Sequence, residues 1–361
     1  MMRGMPDLLI APYLPLPFSA SIGPWDLLPS RDIAESDVLP DELREQALGL
    51  IEAYRPTTGI GKALGAVLVP SGGYVGAPFD RAATGVLRHA LLAGAVANNP
   101  TMALPEDEQV PNAGHAAMTS ENALLYGHPL GTGSSYVIGS GVIVHTTNLH
   151  YAGDGEPLPK VAPPIELPPV LFASVDTEMA AAAYAVLNAG DASARRLFRA
   201  LDWYRVALSN ADAISGDVRV AAVRSALEAL TGAGDKTKDV VRAVGRLLSE
   251  ENTPTTSRSI PPWKGPVQLT ADEWWLARLS LLRNAIVHDS PITPDMWQHE
   301  GYPQLDLAHD ALIRCLKTTL ATEADDPLLK LRLGERALPR ASEELLARLK
   351  AEQSEQDYQG Q

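Results

Sequence analysis

The sequence is poor in cysteine and lacks long apolar runs. Its single cysteine, Cys315, excludes an internal disulfide framework and a four-cysteine zinc site. Because Cys315 follows an apolar helical pattern, we expect it in the core. No run of about 18 apolar residues is present, so we predict no membrane-spanning helix. Prolines interrupt the apolar N-terminal stretch, which does not fit a signal-peptide core. We therefore expect a cytoplasmic protein.

The chain also lacks an excess of positive charge, since its formal net charge is −14. Residues 1–170 carry 8 basic and 17 acidic residues, whereas residues 176–321 carry 16 and 18. Contact with nucleic-acid phosphates depends on Lys and Arg. Any such contact is therefore expected in the nearly neutral second part. Seven basic residues are candidates to line a groove there, namely Arg195, Arg196, Arg199, Lys236, Lys238, Arg242 and Arg246.

Two familiar site motifs are incomplete. Gly59-Ile-Gly61-Lys62 resembles part of a phosphate-binding loop, but Pro56 and Ala63 occupy two positions where that motif needs Gly and Ser or Thr. The histidines of the N-terminal part lack the four-residue helical spacing of a metal site. They are His89, His115, His128, His145 and His150. We expect no cofactor and no metal, with a histidine-based metal site in this part as an alternative.

The element pattern predicts an α+β chain of two domains. Residues 1–152 show short apolar runs between Gly, Pro, Ser and Asn clusters, typical of a β-rich or mixed domain. Gly153–Pro169 contains six prolines, and we predict a linker over residues 153–175. Residues 176–321 show helical spacing and predict an all-α bundle of five or six helices. A charged tail follows over residues 322–361.

Individual elements follow from the same patterns. Predicted helices cover Asp41–Ala53, Ala82–Ala97, Thr177–Asn188, Ser193–Ala213 and Asp217–Leu230. Asp235 is expected to cap the next helix, and Glu250–Leu269 is expected to be a loop. Predicted strands cover Ala66–Val69 and the run Tyr136–Val144, and Ile22–Trp25 is expected to be a turn between strands.

The stretch Thr270–Ser290 predicts one long helix with a polar end. Thr270 and Glu273 have the capping-box spacing, so the helix is expected to begin at Ala271. An apolar stripe is expected from Leu276, Leu279, Leu282 and Ile286. The polar end consists of Arg283, Asn284, His288 and Asp289. Such groups need partners, a ligand or water in a segment otherwise suited to burial.

Arg283 and His288 together suit phosphodiester chemistry. A guanidinium holds a phosphate through two parallel hydrogen bonds, and an imidazole moves a proton to or from a ribose 2′-hydroxyl or a leaving oxygen. Five residues correspond to about 500° of helix, so these two side chains point about 140° apart. Asn284 and His288, in contrast, share a face. Either Arg283 curls round, or the helix loosens near His288, or a second protomer completes the site.

A purely structural interpretation is also open. In it, Arg283 pairs with Glu228 or Asp289, and His288 is favoured at the helix end by the macrodipole.

Two motifs carry a resemblance to a known family. They are Arg224-Ser-Ala-Leu-Glu228-Ala-Leu-Thr-Gly and, after a basic amphipathic helix, Leu282-Arg283-Asn284-Ala-Ile-Val-His288-Asp289. Together they resemble the HEPN superfamily and, within it, the ApeA-like HEPN domains. The resemblance covers about residues 176–321 and implies a helical bundle that dimerises.

The resemblance implies a function and roles for named residues. Catalytic HEPN members are metal-independent endoribonucleases in which the Arg-x4–6-His motifs of two protomers form one cleft. By this resemblance, Arg283 would bind and stabilise the phosphate, and His288 would be the general acid and base. Asn284 would assist by polarity or orientation, and Asp289 is a further auxiliary residue. Glu228 matches an acidic position of the upstream helix, and we expect it to orient Arg283.

The resemblance also implies a cellular setting. It predicts a homodimer that cleaves RNA in stress response or phage defence, with a toxin-like action and a protein antitoxin or regulator as a further partner. The N-terminal domain would then be a sensor or regulatory part. Because some HEPN members are non-catalytic, the alternative is a module that binds RNA or a nucleotide, or that scaffolds a complex.

Overall fold

A computed structural model provides the structure of this chain. It describes residues 7–52 except 15 and 17, 65–71, 81–97, 123, 125–129, 135–138, 143–146, 175–208, 214–234, 236–249 and 253–323. These residues form a mixed α and β structure with an N-terminal sheet and eight helices.

Seven antiparallel strands form the N-terminal sheet. They are β1 (Asp7–Ala11), β2 (Ala20–Ile22), β3 (Trp25–Pro29), β4 (Ala66–Pro70), β5 (Leu125–Pro129), β6 (Ser135–Ile138) and β7 (Ile143–Thr146). Their order is β2-β3-β4-β1-β5-β6-β7, and Leu9 of the central β1 pairs with Leu68 of β4 and Gly127 of β5. The predicted strand Ala66–Val69 is confirmed, as is the turn between β2 and β3. The predicted run Tyr136–Val144 is divided between β6 and β7.

Alternating side chains of the sheet enter two different cores. One face buries Leu8, Ile10, Leu28 and Val67 with Ala47 and Ile51 of α1 (Asp41–Glu52). The other face buries Leu9, Leu27 and Leu68 with Leu87 and Leu91 of α2 (Arg81–Ala97). Both helices agree closely with the predicted bounds. The sheet is thus covered by a helix on each face, as its two-residue side-chain period requires.

Six helices follow in the C-terminal part. They are α3 (Thr177–Ala189), α4 (Ala192–Ala207), α5 (Gly216–Thr231), α6 (Thr237–Leu248), α7 (Ala271–Val287) and α8 (Gln304–Glu323). The predicted second helix of this part was too long, because α4 ends at Ala207 with Leu208 as its C-cap. The prediction that Asp235 caps α6 was wrong. Lys236 is the N-cap residue, in an extended conformation and without a side-chain cap.

Two short hairpins interrupt this helical part. One pairs β8 (Thr256–Arg258) with β9 (Val267–Leu269), and the other pairs β10 (Gln298–His299) with β11 (Tyr302–Pro303). The prediction of a simple loop over Glu250–Leu269 was therefore wrong. All three residues of β8 are exposed, so the strand lacks the apolar alternation by which strands are recognised in a sequence.

The sheet and the helices share a continuous core. Leu9, Leu87, Met179 and Leu276 belong to one cluster of buried residues that runs from β1 through α2 to α7. Close packing of α2 against α3 requires Gly94, because a Cβ there would lie 2.9 Å from the Cβ of Ala180. Gly23, with φ of 56°, turns β2 into β3 directly against the ring of Tyr184 on α3, leaving no room for a Cβ. The two predicted domains therefore pack closely in the described residues.

Helix α7 is buried on almost every side. Its buried residues are Glu273, Trp275, Leu276, Ala277, Leu279, Ser280, Leu282 and Ala285. Since consecutive residues are about 100° apart, these side chains point in almost every direction from the axis. The predicted apolar stripe is thus only part of the buried surface, and Ile286 is half-buried. A helix buried all round is a suitable rigid support for a site at its end.

The predicted domain bounds remain a prediction. Most of the predicted linker (153–174) and almost all of the predicted tail (324–361) lie outside the described residues. Cys315 is buried in α8, as expected. In the part of the chain that the structure describes, no helix is both long and apolar enough to cross a membrane.

Candidate functional site

The polar groups at the first turn of α7 are hydrogen-bonded to one another and to a side chain of α6. Thr270 Oγ1 accepts a hydrogen bond from the Glu273 backbone N–H at 3.2 Å, and the Glu273 carboxylate accepts one from the Thr270 N–H at 2.9 Å. The predicted capping box is confirmed. Arg242 of α6 donates to both Glu273 carboxylate oxygens, at 2.8 and 2.7 Å. Gly245 of α6 lies against the Glu273 side chain, where a Cβ would overlap it. Glu273 is therefore a structural carboxylate.

The last turn of α7 ends in a Schellman motif. His288 is the C-cap residue, and Asp289 follows with φ of 50°. The Asp289 N–H donates to the Ile286 carbonyl at 3.4 Å. The Ser290 N–H donates to the Ala285 carbonyl at 2.9 Å. These are the two bonds of that motif, and Asp tolerates its left-handed backbone better than most residues do. Asp289 thus has a backbone role at the point where the helix stops.

Arg283 lies half-buried on this turn with much of its donor capacity unused. Its Nη1 donates to Asn284 Oδ1 at 3.2 Å, whereas a guanidinium carries five N–H donors. Among the described residues no carboxylate lies within ion-pair distance of Arg283, so neither Glu228 nor Asp289 neutralises it. A cation in this position is suited to accept an anionic ligand.

Glu228 pairs with Arg224 of its own helix α5. Arg224 Nη1 lies 3.4 Å from Glu228 Oε2, and Arg224 Nε donates to Ser280 Oγ of α7 at 3.0 Å. Burial lowers the pKa of Arg224 to about 10. The charge of Glu228 opposes this change and the charge of Arg283 adds to it. The carboxylate that we expected to orient Arg283 thus neutralises a second, buried arginine.

His288 is exposed at the end of the helix. Its backbone N–H donates to the Asn284 carbonyl at 3.0 Å, and the Asn284 side chain bonds Arg283. Asn284 is therefore the residue that connects the other two. Within the described residues no hydrogen bond joins the Arg283 and His288 side chains directly. The neighbouring Val287 is 51% exposed, so this end of α7 presents an apolar side chain next to the imidazole.

The basic residues predicted to line a groove differ in their availability. Arg242 is bound to Glu273 and donates to the Gln268 carbonyl at 3.0 Å. Arg196 donates to Ser193 Oγ at 2.8 Å and lies 3.8 Å from Glu323. The exposed members of the set are Arg195, Arg199, Lys236, Lys238 and Arg246. These five are the remaining candidates for phosphate contacts.

The histidine-based metal site finds no support in the described residues. His89 is buried against Asp202, whereas the other N-terminal histidine side chains lie outside the described residues. Where the structure describes the chain, no group of three or more His, Cys, Asp or Glu side chains is arranged to hold a metal ion.

Sequence reasoning missed the contact that joins α5 to this site. The spacing of Arg224 and Glu228 indicates a helical ion pair, so that interaction had a local signal. The bond from Arg224 to Ser280 spans 56 positions of the chain, and no local pattern predicts it.

Comparison with known proteins gives no relative. No protein-family model, no curated protein and no solved structure matches this chain. The HEPN resemblance therefore stays a prediction based on the residues of α5 and α7.

Proposed function

We propose that this chain is a HEPN-type, metal-independent endoribonuclease that acts as a homodimer. The observation that carries the proposal is the state of Arg283. It lies at the end of the enclosed helix α7 without a carboxylate partner among the described residues, five positions before the exposed imidazole of His288. A guanidinium that can hold a phosphate and an imidazole that can transfer a proton are the two groups that this RNA cleavage needs.

The proposed reaction is a phosphoryl transfer within the RNA. The ribose 2′-oxygen attacks the adjacent phosphorus and the 5′-oxygen leaves, so a proton is lost from the first oxygen and gained by the second. His288 removes or supplies this proton. Arg283 binds the non-bridging oxygens and stabilises the charge that develops on them. Asn284 holds the Arg283 guanidinium through its Oδ1.

A second protomer explains how the two side chains cooperate. On one helix they point about 140° apart, and the described contacts do not join them. A two-fold axis near the end of α7 would bring His288 of one protomer towards Arg283 of the other. The exposed Val287 supplies apolar surface for such a contact. On this proposal the protein acts in the cytoplasm, in stress response or phage defence.

A cleavage assay without added metal tests the proposal. Wild type is expected to cleave a mixed RNA pool in the presence of EDTA. His288→Ala and Arg283→Ala should each lower the rate by about 100-fold or more. Arg31→Ala is the matched control, since Arg31 is a largely exposed arginine beside Asp32 in the N-terminal part, and it should cleave as wild type does. Circular dichroism checks that each variant is folded.

Two outcomes would count against the proposal. Undiminished cleavage by both variants would place the activity elsewhere. RNA binding without any cleavage by wild type would favour the alternative, a non-catalytic HEPN module that binds RNA or a nucleotide, or that scaffolds a complex.

A further inference from the structure

A second cluster of charged side chains lies between α2 and α4, away from the end of α7. Arg88 and His89 of α2 are almost completely buried, at 3% and 1% exposure. Asp202 and Arg205 of α4 have side chains that are 35% and 38% exposed. The cluster therefore has a buried floor on the N-terminal part of the chain and a rim on the helical part that reaches solvent.

His89 connects α2 to α4 through its ring. Nδ1 lies 2.9 Å from the Gly85 carbonyl, and Nε2 lies 3.1 Å from Asp202 Oδ1. Burial alone would raise the pKa of Asp202. The hydrogen bond and charge of His89, then the charges of Arg205 and Arg88, lower it below its usual value, so the carboxylate is ionised at neutral pH. The His89 ring is stacked on Phe198, with 3.9 Å between the ring centroids.

The charges of this cluster do not balance. Arg88 and Arg205 supply two positive charges, whereas Asp202 supplies one negative charge. Asp202 is bonded to His89 and lies 4.0 Å from Arg205 Nε, too far for a hydrogen bond. Arg88 Nη1 and Arg205 Nε are both buried and find no hydrogen-bond acceptor among the residues that the structure describes. Buried donors of this kind destabilise a structure unless an acceptor meets them.

Both arginines lie beside the His89–Asp202 pair, since Arg88 directly precedes His89 and Arg205 Nε lies 4.0 Å from Asp202 Oδ1. Burial and, to a smaller extent, the charge of Arg205 lower the pKa of Arg88 to about 10, whereas the charge of Asp202 opposes the change. At neutral pH both guanidinium groups stay charged. An anion between them would remove their repulsion and accept their free hydrogens.

We propose that the α2–α4 junction is a binding site for an oxyanion of the phosphate class, either inorganic phosphate or the terminal phosphate of a nucleotide. Arg88 and Arg205 donate to its oxygens, and the rim formed by Asp202 and Arg205 is its path of access. A tetrahedral oxyanion offers several acceptors at once, which suits two guanidinium groups better than a monatomic anion does. Because Arg88 belongs to the N-terminal part and Arg205 to the helical part, the ligand would hold these parts together.

Thermal unfolding of the full chain tests this site. We expect inorganic phosphate to raise the melting temperature of wild type above its value in sodium chloride of equal ionic strength, because a ligand that binds only the folded state stabilises it. Arg88→Gln should weaken phosphate binding by about tenfold or more, since it removes a charged donor. Arg31→Gln, at a largely exposed arginine beside Asp32, should retain the full increase.

Calorimetric titration separates the two sources of the ligand. Inorganic phosphate and a nucleoside triphosphate are titrated into wild type, Arg88→Gln and Arg205→Gln. Arg205→Gln serves as the second variant because its side chain is only half-buried, so the fold should survive the change. The proposal requires tighter binding of at least one of the two ligands by wild type than by Arg205→Gln. Equal affinity of wild type, Arg88→Gln and Arg205→Gln for both ligands, or no binding of either ligand by wild type, would overturn it.

Discussion

Both ends of α7 carry polar and charged side chains. Those at the first turn are fully hydrogen-bonded within the described residues, whereas those at the last turn have few partners there. At the first turn, Glu273 accepts hydrogen bonds from the Thr270 N–H and, on both carboxylate oxygens, from Arg242 Nη1. At the last turn, Arg283 bonds one amide oxygen and His288 is exposed. The comparison shows that a polar group near a buried segment is not by itself a sign of function. What distinguishes the two ends is how much hydrogen-bonding capacity remains unused.

The largest effect on stability is expected at the first turn. Glu273→Ala should lower the free energy of unfolding by roughly 2–4 kcal/mol, because it removes the partner of Arg242 and half of the capping box. Urea denaturation measures the change. Asp239→Ala, at an exposed acidic residue in the first turn of α6, is the control and should change little. If Glu273→Ala lowers the free energy of unfolding by less than about 1 kcal/mol, the Glu273 contacts do not stabilise the fold as this account requires.

An intermediate effect is expected from Arg224, which pairs with Glu228 on α5. In Arg224→Met the Glu228 carboxylate loses its partner and should pair with Arg283. Binding of a short RNA should then weaken by about tenfold, or about 1.4 kcal/mol. Fluorescence anisotropy in a His288→Ala background measures binding without cleavage.

The double variant Arg224→Met with Glu228→Gln provides the decisive control. Removing the carboxylate should free Arg283 again and restore RNA binding to near the wild-type level. A double variant that binds no better than Arg224→Met would show that Arg224 supports only the packing of α5 on α7.

The smallest effect is expected at Asp289. Substitutions there distinguish a role in the backbone turn that ends α7 from an auxiliary role in the reaction. Gly adopts a positive φ without strain, so Asp289→Gly should leave the free energy of unfolding unchanged or raise it by about 0.5–1 kcal/mol. Asp289→Val should lower it by about 1–2 kcal/mol, because a β-branched residue is strained there. RNA cleavage by Asp289→Gly at the wild-type rate would support a backbone role. A slower rate at unchanged stability would restore the auxiliary role that the family resemblance implies.

Local interactions were the ones that the sequence could predict. Thr270 and Glu273 are three residues apart, and their spacing alone specifies the first turn of α7. The helices α1 and α2 were also predicted from patterns that lie within each segment, and their bounds agree closely with the structure. The end of α7 was predicted only in part. The polar cluster was recognised, but the Schellman motif that assigns Asp289 to the backbone was not.

Long-range interactions account for what could not be predicted. The Arg224–Ser280 bond depends on how α5 crosses α7, and the His89–Asp202 pair spans 113 positions. Glu228 was expected to orient Arg283, but the four-residue spacing on α5 places it against Arg224. The cluster around Arg88 was missed altogether, since a buried arginine on α2 resembles any other helical arginine in the sequence.

Mixed dimers test the central claim most directly, namely that the end of α7 forms a composite site with a second protomer. Arg283→Ala and His288→Ala are each expected to be inactive alone. After unfolding and refolding together, about half of the dimers should contain one protomer of each kind, and their shared cleft then retains one Arg283 and one His288. The account predicts that RNA cleavage reappears in the refolded mixture. A mixture as inactive as either variant, or a wild type that is active as a monomer, would contradict it.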